Sequence, residues 1–163
     1  MGRTADYSKE CCSVAAALSI VGDPWTLLIL RDAFLGVRRF DEWQARLGVA
    51  RNVLAARLKS LVAHGVLETR PYSEHPPRKD YVLTQKGREL MPVLLTLKAW
   101  GDRHLYGDAA TPMAFVHSCG AELTPLLTCP ACGGSVSSGD LTPKRKEAPP
   151  VSAILAAAGE PRG

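Results

Sequence analysis

The stretch from Gly48 to Leu83 constrains the fold of this chain more than any other. It begins with an amphipathic segment over about residues 50–64, and Gly65 ends that segment as a typical C-cap residue. A short strand over 66–70 follows, then a loop rich in proline and basic residues, then a second strand over 81–83. The pattern predicts a helix followed directly by a β-hairpin with a charged tip, which we call the wing.

The helix of this stretch has two different faces. Leu54, Leu58 and Leu61 recur at helical spacing and define a buried stripe. The opposite face has small side chains beside Asn52 and Lys59. Small side chains let a helix approach base edges closely, and asparagine can make a bidentate contact to adenine. Taken alone, this face is explained equally well by an ordinary surface helix.

A second short helix over 40–47 precedes the first and is joined to it by a turn at Gly48. Two helices joined by a turn with glycine, followed by a wing, are typical of proteins that bind double-stranded DNA. The prolines of the wing, Pro71, Pro76 and Pro77, are expected to stiffen its loop. The predicted DNA-binding residues are Arg51, Asn52, Ala55, Ala56, Arg57, Lys59, Arg78 and Lys79.

These residues have different predicted roles. Recognition helices read bases mainly with their first turns, so Arg51 and Asn52 are expected to read the major groove. Lys59 is expected to contact phosphates, and Arg57 either supports that clamp or anchors the helix through an acid. Arg78 and Lys79 would serve the wing, which can reach a minor groove or flanking phosphates.

The distribution of charge agrees with this interpretation. Residues 46–88 contain nine Lys or Arg against three acids, whereas the whole chain has a net charge of +4. A basic island on such a motif is what phosphate contact requires. A solvated basic face without a partner is the alternative.

The bulk composition sets the class of protein. The 163 residues are 46% hydrophobic with a mean hydropathy of -0.02, which suits one globular domain with an appendage. No apolar run is long enough to span a bilayer, and the first residues lead into no signal-peptide pattern. We therefore expect a cytoplasmic protein without a membrane partner.

Helices are also predicted on both sides of the motif. A flexible lead-in over 1–10 precedes a helix over 12–21, and Asp23 with Pro24 starts a central buried helix. A last long helix over 84–106 carries a broad apolar surface. That surface either packs back onto its own domain or forms a dimer interface, and one part of it can do the first while another part does the second.

The chain changes character beyond Tyr106. Residues 107–140 contain a Cys-Pro-x-Cys-Gly motif and a His-x-Cys-Gly motif, and the tail 141–163 is predicted to be disordered. The motifs place four potential ligands for a structural zinc ion in a ribbon-like hairpin: His117, Cys119, Cys129 and Cys132. The alternative is a degenerate ribbon that folds without metal.

Several motifs, in order along residues 11–106, resemble the HxlR-type regulators, a branch of the MarR-like winged-helix transcription factors. They are Cys12-Ser13-Val14-Ala15, the run from Val21 to Arg31, Arg57-Leu58-Lys59-Ser60-Leu61, His64-Gly65-Val66-Leu67, Tyr81-Val82-Leu83-Thr84, Lys86-Gly87 and Trp100-Gly101. Ala50 departs from the family, in which a hydroxyl residue often caps the recognition helix.

The resemblance implies a homodimer on an inverted-repeat operator, with dimerisation through the N-terminal and long C-terminal helices. It also implies that Cys12 either senses electrophiles or oxidants or is a small side chain buried at the dimer interface.

The combined prediction is an α+β, mainly α, winged helix-turn-helix with flanking dimerisation helices and a zinc-ribbon-like appendage. We expect a transcriptional regulator that acts as a repressor, and we do not expect an enzyme. The sequence does not reveal its effector. One alternative is a protein-interaction adaptor on a winged-helix scaffold. The other is a metal or thiol enzyme that uses the C-terminal cysteines and His117.

Overall fold

The computed structural model describes residues 6–74, 77–107, 111–144 and 146–159. The chain forms two compact units: residues up to Leu90 together with those from Glu147 onward, and residues Met91–Lys146. The elements are α1 (Ser13–Val21), α2 (Pro24–Phe34), α3 (Phe40–Leu47), α4 (Arg51–Ala63), β1 (Leu67–Glu74), β2 (Pro77–Leu83), α5 (Gln85–Arg88), α6 (Met91–Gly101), a π-helical turn (Asp102–Tyr106), a 3-10 turn (Ser138–Asp140) and α7 (Val151–Gly159).

The core of the first unit lies between α2, α3 and α4. Ile29 of α2 and Trp43 of α3 are both fully buried, and the Trp43 indole Nε1 donates a hydrogen bond of 3.1 Å to the Ile29 carbonyl. The predicted stripe of α4, Leu54, Leu58 and Leu61, is buried as well. A tryptophan that satisfies its only donor inside the core adds apolar area without an unpaired polar group.

A carboxylate is also buried in this core. Asp32 of α2 has no exposed surface, and its Oδ2 lies 3.2 Å from Nε of Arg46 at the end of α3. Its Oδ1 accepts hydrogen bonds from Arg31 and Arg46. The hydrogen bond to Asp32, and then its charge, raise the pKa of Arg46. This ion pair ties α2 to α3, and the sequence pattern did not reveal it.

Local signals explain where these helices begin and end. Asp23 accepts a hydrogen bond of 3.0 Å from the Trp25 amide, and Pro24 occupies the first position of α2. The turn between α3 and α4 is made by Gly48, whose φ of 62° lies in the left-handed region. Ala50 provides no side-chain cap for α4, as its departure from the family pattern predicts.

The wing is longer than predicted. Its strands β1 and β2 pair antiparallel from Leu67↔Leu83 to Glu74↔Pro77, so pairing extends well beyond residues 66–70 and 81–83. Pro71 is tolerated because a two-stranded sheet consists of edge strands. A register shift between Pro71 and Ser73 marks a bulge at Tyr72. The prediction that Pro76 stiffens the tip lies outside the described residues.

The prediction of one long helix over 84–106 is wrong, because the segment is divided into α5, α6 and the π-helical turn. Pro92, near the start of α6, lacks the amide that would continue the helical ladder, and it disfavours a helical conformation at the preceding residue. Gly87 of α5 lies against the wing: a Cβ there would meet the Val66 carbonyl oxygen at 2.2 Å.

The second unit contains α6, the π-helical turn and a ribbon of two small turns. One turn is closed by the bridge between Val116 and Glu122, the other by the bridge between Thr128 and Ser135. The Lys98 ammonium pairs with the Asp102 carboxylate where α6 passes into the π-helical turn. Each of the two turns carries one of the two cysteine motifs.

The tail is predicted to be disordered apart from its apolar run over 151–158, which suits a short helical turn, and the structure forms the helix α7 there. Val151 is buried, its amide donates a hydrogen bond of 2.8 Å to the Glu10 carbonyl, and the Ser152 amide donates one of 3.1 Å to the Ser8 carbonyl. The first turn of a helix leaves such amides without partners, so the N-terminal segment satisfies them. Alanine, the strongest helix former, supplies four residues of this helix.

No single helix in the described part of the chain is long and apolar enough to cross a membrane. The helices α1 and α2 pass that test only when counted together, and they are bent by 78°.

Candidate nucleic-acid interface

The outward face of α4 is exposed over its whole length. Asn52, Ala55, Ala56 and Lys59 all lie at the surface, opposite the buried leucines. Small side chains thus surround one amide donor and acceptor at the N-terminal half of the helix. Such a surface can approach base edges closely enough for direct hydrogen bonds.

Arg51, the first residue of α4, is held against α3. Its guanidinium carbon lies 4.8 Å from the centre of the Phe40 ring, and its Nη1 donates to the carboxylate of Asp41 and the amide oxygen of Gln44. Its ion pair with Asp41 is 3.3 Å long. A base contact by Arg51 would have to replace these partners.

Arg57 lies on the inner flank of α4. Its Nη2 is 3.4 Å from Oδ2 of Asp23, the residue that caps α2. Its Nε is buried and has no hydrogen-bond partner among the described residues. The structure therefore places Arg57 as an anchor to an acid, which is the second of the two roles that the sequence left open.

The wing presents two exposed cations, Arg78 and Lys79, on β2. The wing is fixed to the helical part of the unit by a hydrogen bond of 2.8 Å from the Tyr81 amide to the Arg38 carbonyl. The Tyr81 ring also meets Trp43 edge to face, with the ring centres 6.0 Å apart, and burial raises the pKa of its phenol. The wing is consequently held in place at its base.

The structure adds two residues that the sequence reasoning did not single out. Arg39, at the start of α3, lies with its guanidinium carbon 4.7 Å from the centre of the Tyr72 ring, and its Nε is 3.6 Å from Oδ1 of Asp80. The only signal in the sequence is the pair of adjacent arginines, Arg38 and Arg39, before α3. Nothing in the spacing indicates that a bulge brings Tyr72 beneath Arg39.

The structure brings together only half of the predicted zinc ligands. The Cys129 thiol accepts hydrogen bonds from the amides of Ala131 and Cys132 and from the Cys132 thiol, and these bonds lower its pKa. His117 accepts from the Cys119 amide at 3.3 Å in the other turn. Among the described residues no three His, Cys, Asp or Glu side chains form a metal-binding group.

Cys129 and Cys132 fit the donor chemistry of zinc, because a thiolate stabilised by backbone amides is the form that binds the metal. His117 and Cys119 are not drawn to them in this arrangement. Zinc therefore stays a prediction that rests on the Cys129 turn.

The N-terminal cysteines are both accessible. Cys11 and Cys12 are free and exposed, and Cys12 precedes α1 in the N-cap position without a capping hydrogen bond from its side chain.

A helix-turn-helix followed by a two-stranded wing, with an exposed polar and basic face, defines a winged-helix DNA-binding protein. Comparisons with known proteins agree. A family model described as HxlR-like helix-turn-helix matches residues 20–108. The chain belongs to this family, and it is a transcriptional regulator of the HxlR/MarR type, as the motifs predict.

Three relatives illustrate the match. An uncharacterised HTH-type transcriptional regulator of Mycobacterium tuberculosis is 42% identical over 133 residues, which cover 81% of this chain and 84% of that protein. The solved structure of PA1607, a transcription factor candidate, matches with a TM-score of 0.77 at 36% identity, covering 86% of this chain and 99% of that one. The redox regulator HypR in its reduced form matches with a TM-score of 0.54 at 29% identity, covering 58% and 96%. These relatives are regulators and not enzymes.

Proposed function

We propose that this chain is a sequence-specific repressor that binds an inverted-repeat operator as a homodimer. The observation that carries the proposal is the exposed face of α4, in which Asn52 lies among small side chains while the leucines behind it are buried. Asn52 would read a base in the major groove, whereas Lys59, Arg78 and Lys79 would contact phosphates. Arg57 has no part in this contact because it is engaged with Asp23.

Pairing of two subunits follows from the modest size of this face. One helix that reads a few base pairs gives little discrimination, and two helices about one turn of DNA apart multiply it. A dimer bound over a promoter would exclude the polymerase, which is why we infer repression.

Base reading is tested by selecting bound fragments from genomic DNA and comparing variants on the selected and a scrambled duplex. Asn52→Ala should reduce the affinity for the selected duplex about tenfold or more and leave the scrambled duplex unaffected. Gln85→Ala removes an amide side chain from α5 and is the matched control. It should change the affinity for neither duplex. Equal losses on both duplexes for Asn52→Ala would refute base reading.

The dimer interface is proposed on α6. No residue of this largely apolar helix is buried in the single chain, and Leu97 and Trp100 are 50% and 55% exposed. Apolar surface repeated along one helix is suited to packing against a second copy. Leu97→Asp should give monomers in light scattering, whereas Leu126→Asp, in the ribbon, should leave dimers. Monomeric wild-type protein at micromolar concentration would contradict the proposal.

We also propose that Cys12 senses oxidants. It is exposed at the start of α1, and a similar solved structure is that of the redox regulator HypR, known in reduced and oxidised forms. Two Cys12 thiols, or Cys12 and another thiol, would form a disulfide as the oxidant takes up both electrons and protons. Cys12→Ser should abolish the change in operator affinity on treatment with diamide, and Cys11→Ser should retain it. A response that survives Cys12→Ser would disprove this role.

We further propose that the ribbon holds a structural zinc ion, beginning from Cys129 and Cys132 and completed by His117 and Cys119. The support is the Cys129 thiol, whose pKa is lowered by the amides of its own turn. Elemental analysis of untagged protein and the protection of Cys129 from alkylation test this proposal.

A further inference from the structure

A cleft of about 520 Å³ lies between the start of α3 and the wing, and we call it the wing cleft. Its lining includes four cations, Arg39, Arg51, Arg78 and Lys79. Two carboxylates, Asp41 and Glu42, and the aromatic rings of Phe40, Tyr72 and Tyr81 also line it. The excess of positive charge suits an anion.

The two arginines at the helical side are held in the same way. Arg39 rests on the Tyr72 ring and Arg51 on the Phe40 ring, with guanidinium carbons 4.7 Å and 4.8 Å from the ring centres. A ring beneath a guanidinium leaves its edge free for hydrogen bonds and lowers the entropy lost when those bonds form. Cation–π contacts of this kind thus orient both guanidinium groups at the cleft.

The position of Tyr72 depends on the bulge in β1. Pro71 pairs with Lys79 and Ser73 with Arg78, so Tyr72 is the extra residue between them. A bulge turns the side chain of such a residue away from its regular direction. The hydrogen bond between the Tyr81 amide and the Arg38 carbonyl keeps the start of α3 beside the wing. Together these features bring the Tyr72 ring beneath Arg39.

Arg39 has donors to spare. Its Nε faces Oδ1 of Asp80 at 3.6 Å, which is longer than a hydrogen bond, and it forms no other ion pair among the described residues. The planar fork of a guanidinium matches the two free oxygens of a phosphodiester. Arg51, in contrast, already donates to Asp41 and Gln44.

We propose that the wing cleft binds one phosphodiester of the DNA backbone, with Arg39 as its principal ligand and Tyr72 as the positioning residue. The proposal rests on the proposed DNA-binding function and adds a contact that joins α3 to the wing. Because a phosphate contact carries no sequence information, Arg39 contributes equally to operator and to other DNA.

The test measures fluorescence anisotropy of the full-length chain with the selected duplex and a scrambled duplex over a range of salt concentrations. Arg39→Met should weaken binding to both about tenfold or more and reduce the slope of log affinity against log salt by about one. Tyr72→Leu should weaken both several-fold, and Tyr72→Phe, which keeps the ring, should restore the affinity. Lys9→Met removes the same charge from an exposed position in the N-terminal segment and is the control.

A second measurement changes only the DNA. Uncharged methylphosphonate groups placed one at a time along the duplex should include one position that weakens the wild type but not Arg39→Met. If no position distinguishes them, or if Arg39→Met behaves like Lys9→Met, the wing cleft is not a phosphate site. If Arg39→Met affects the selected duplex alone, Arg39 reads a base and the proposal fails. Failure of the wild type to bind any duplex would instead refute the proposed function.

Discussion

Arg57 of α4 and Asp23 at the start of α2 form an ion pair of 3.4 Å. Asp23 also caps α2 through the Trp25 amide, so one carboxylate fixes the start of a core helix and the flank of α4. The ion pair holds the Arg57 guanidinium against α2, so this side chain is not available to contact DNA. Lys59, two residues later, is exposed to solvent.

The first prediction compares these two residues. Arg57→Met should lower the free energy of unfolding by about 0.5–1 kcal/mol, because the ion pair is partly solvated, and should leave DNA affinity nearly unchanged. Lys59→Met should leave stability unchanged and reduce the salt slope of DNA binding by about one. Urea titration and anisotropy measure the two quantities. An unchanged salt slope for Lys59→Met, with a reduced one for Arg57→Met, would reverse the assignment.

The second prediction concerns Asp32, which has no exposed surface and is bonded to Arg31 and Arg46. Asp32→Asn keeps the shape but removes the charge, and it should lower the free energy of unfolding by about 1–3 kcal/mol. Glu68→Gln is the control: its pair with Arg70 is shorter, at 2.6 Å, but both side chains are largely exposed. Glu68→Gln should lower the free energy of unfolding by about 0–1 kcal/mol. Equal losses of unfolding free energy for the two variants in urea titrations would mean that burial does not determine how much these ion pairs contribute to stability.

The sequence predicted the parts of the fold that depend on repeating patterns. The α4 stripe of Leu54, Leu58 and Leu61, the turn at Gly48 and the presence of a wing all follow from periodicity and turn chemistry. The bulge at Tyr72 and the pairing of strands through Pro71 depend on what lies across the hairpin. Periodicity within one strand carries no such information.

The same limit explains why the sequence left the role of Arg57 open and did not predict the docking of α7. Helical spacing places Arg57 on the flank of α4, but only the location of Asp23 shows what that flank meets. In the sequence, the residues of α7 form an apolar run between Pro150 and Gly159. The docking of this helix is explained only by the carbonyl groups of the N-terminal segment, which accept hydrogen bonds from its first amides. Contacts between segments distant in sequence cannot be derived from the composition of either.

The third prediction tests the docking of α7. Val151 is 1% exposed and Ile154 is 37% exposed, so they offer a matched pair of β-branched residues on one helix. Val151→Asp would bury a carboxylate without a partner and should detach α7. Hydrogen exchange of the Val151 and Ser152 amides should then become fast, whereas Ile154→Asp should keep their protection. Fast exchange in the wild-type protein would show that α7 is not docked.

The fourth prediction concerns the ribbon cysteines. The amides of Ala131 and Cys132 lower the pKa of Cys129, so its thiolate persists to lower pH than that of an ordinary cysteine. In metal-free protein, alkylation of Cys129 by iodoacetamide should therefore reach half its maximal rate at a lower pH than in the urea-unfolded chain. Mass spectrometry of the peptide containing Cys129 measures this rate. Coinciding pH profiles would show that the turn does not stabilise the thiolate.

Zinc should then change the reactivity of the same residue. Untagged protein is expected to hold about one zinc per chain by elemental analysis, because a closed Cys3His set binds a single ion. Bound zinc should protect Cys129 from alkylation, and a chelator should restore the reaction. Cys132→Ser and His117→Ala should both lose zinc, while Cys12→Ser should retain it. Retention of zinc by His117→Ala would show that the second half of the predicted set does not serve as a ligand. Absence of zinc from the wild type would leave the ribbon as a metal-free hairpin.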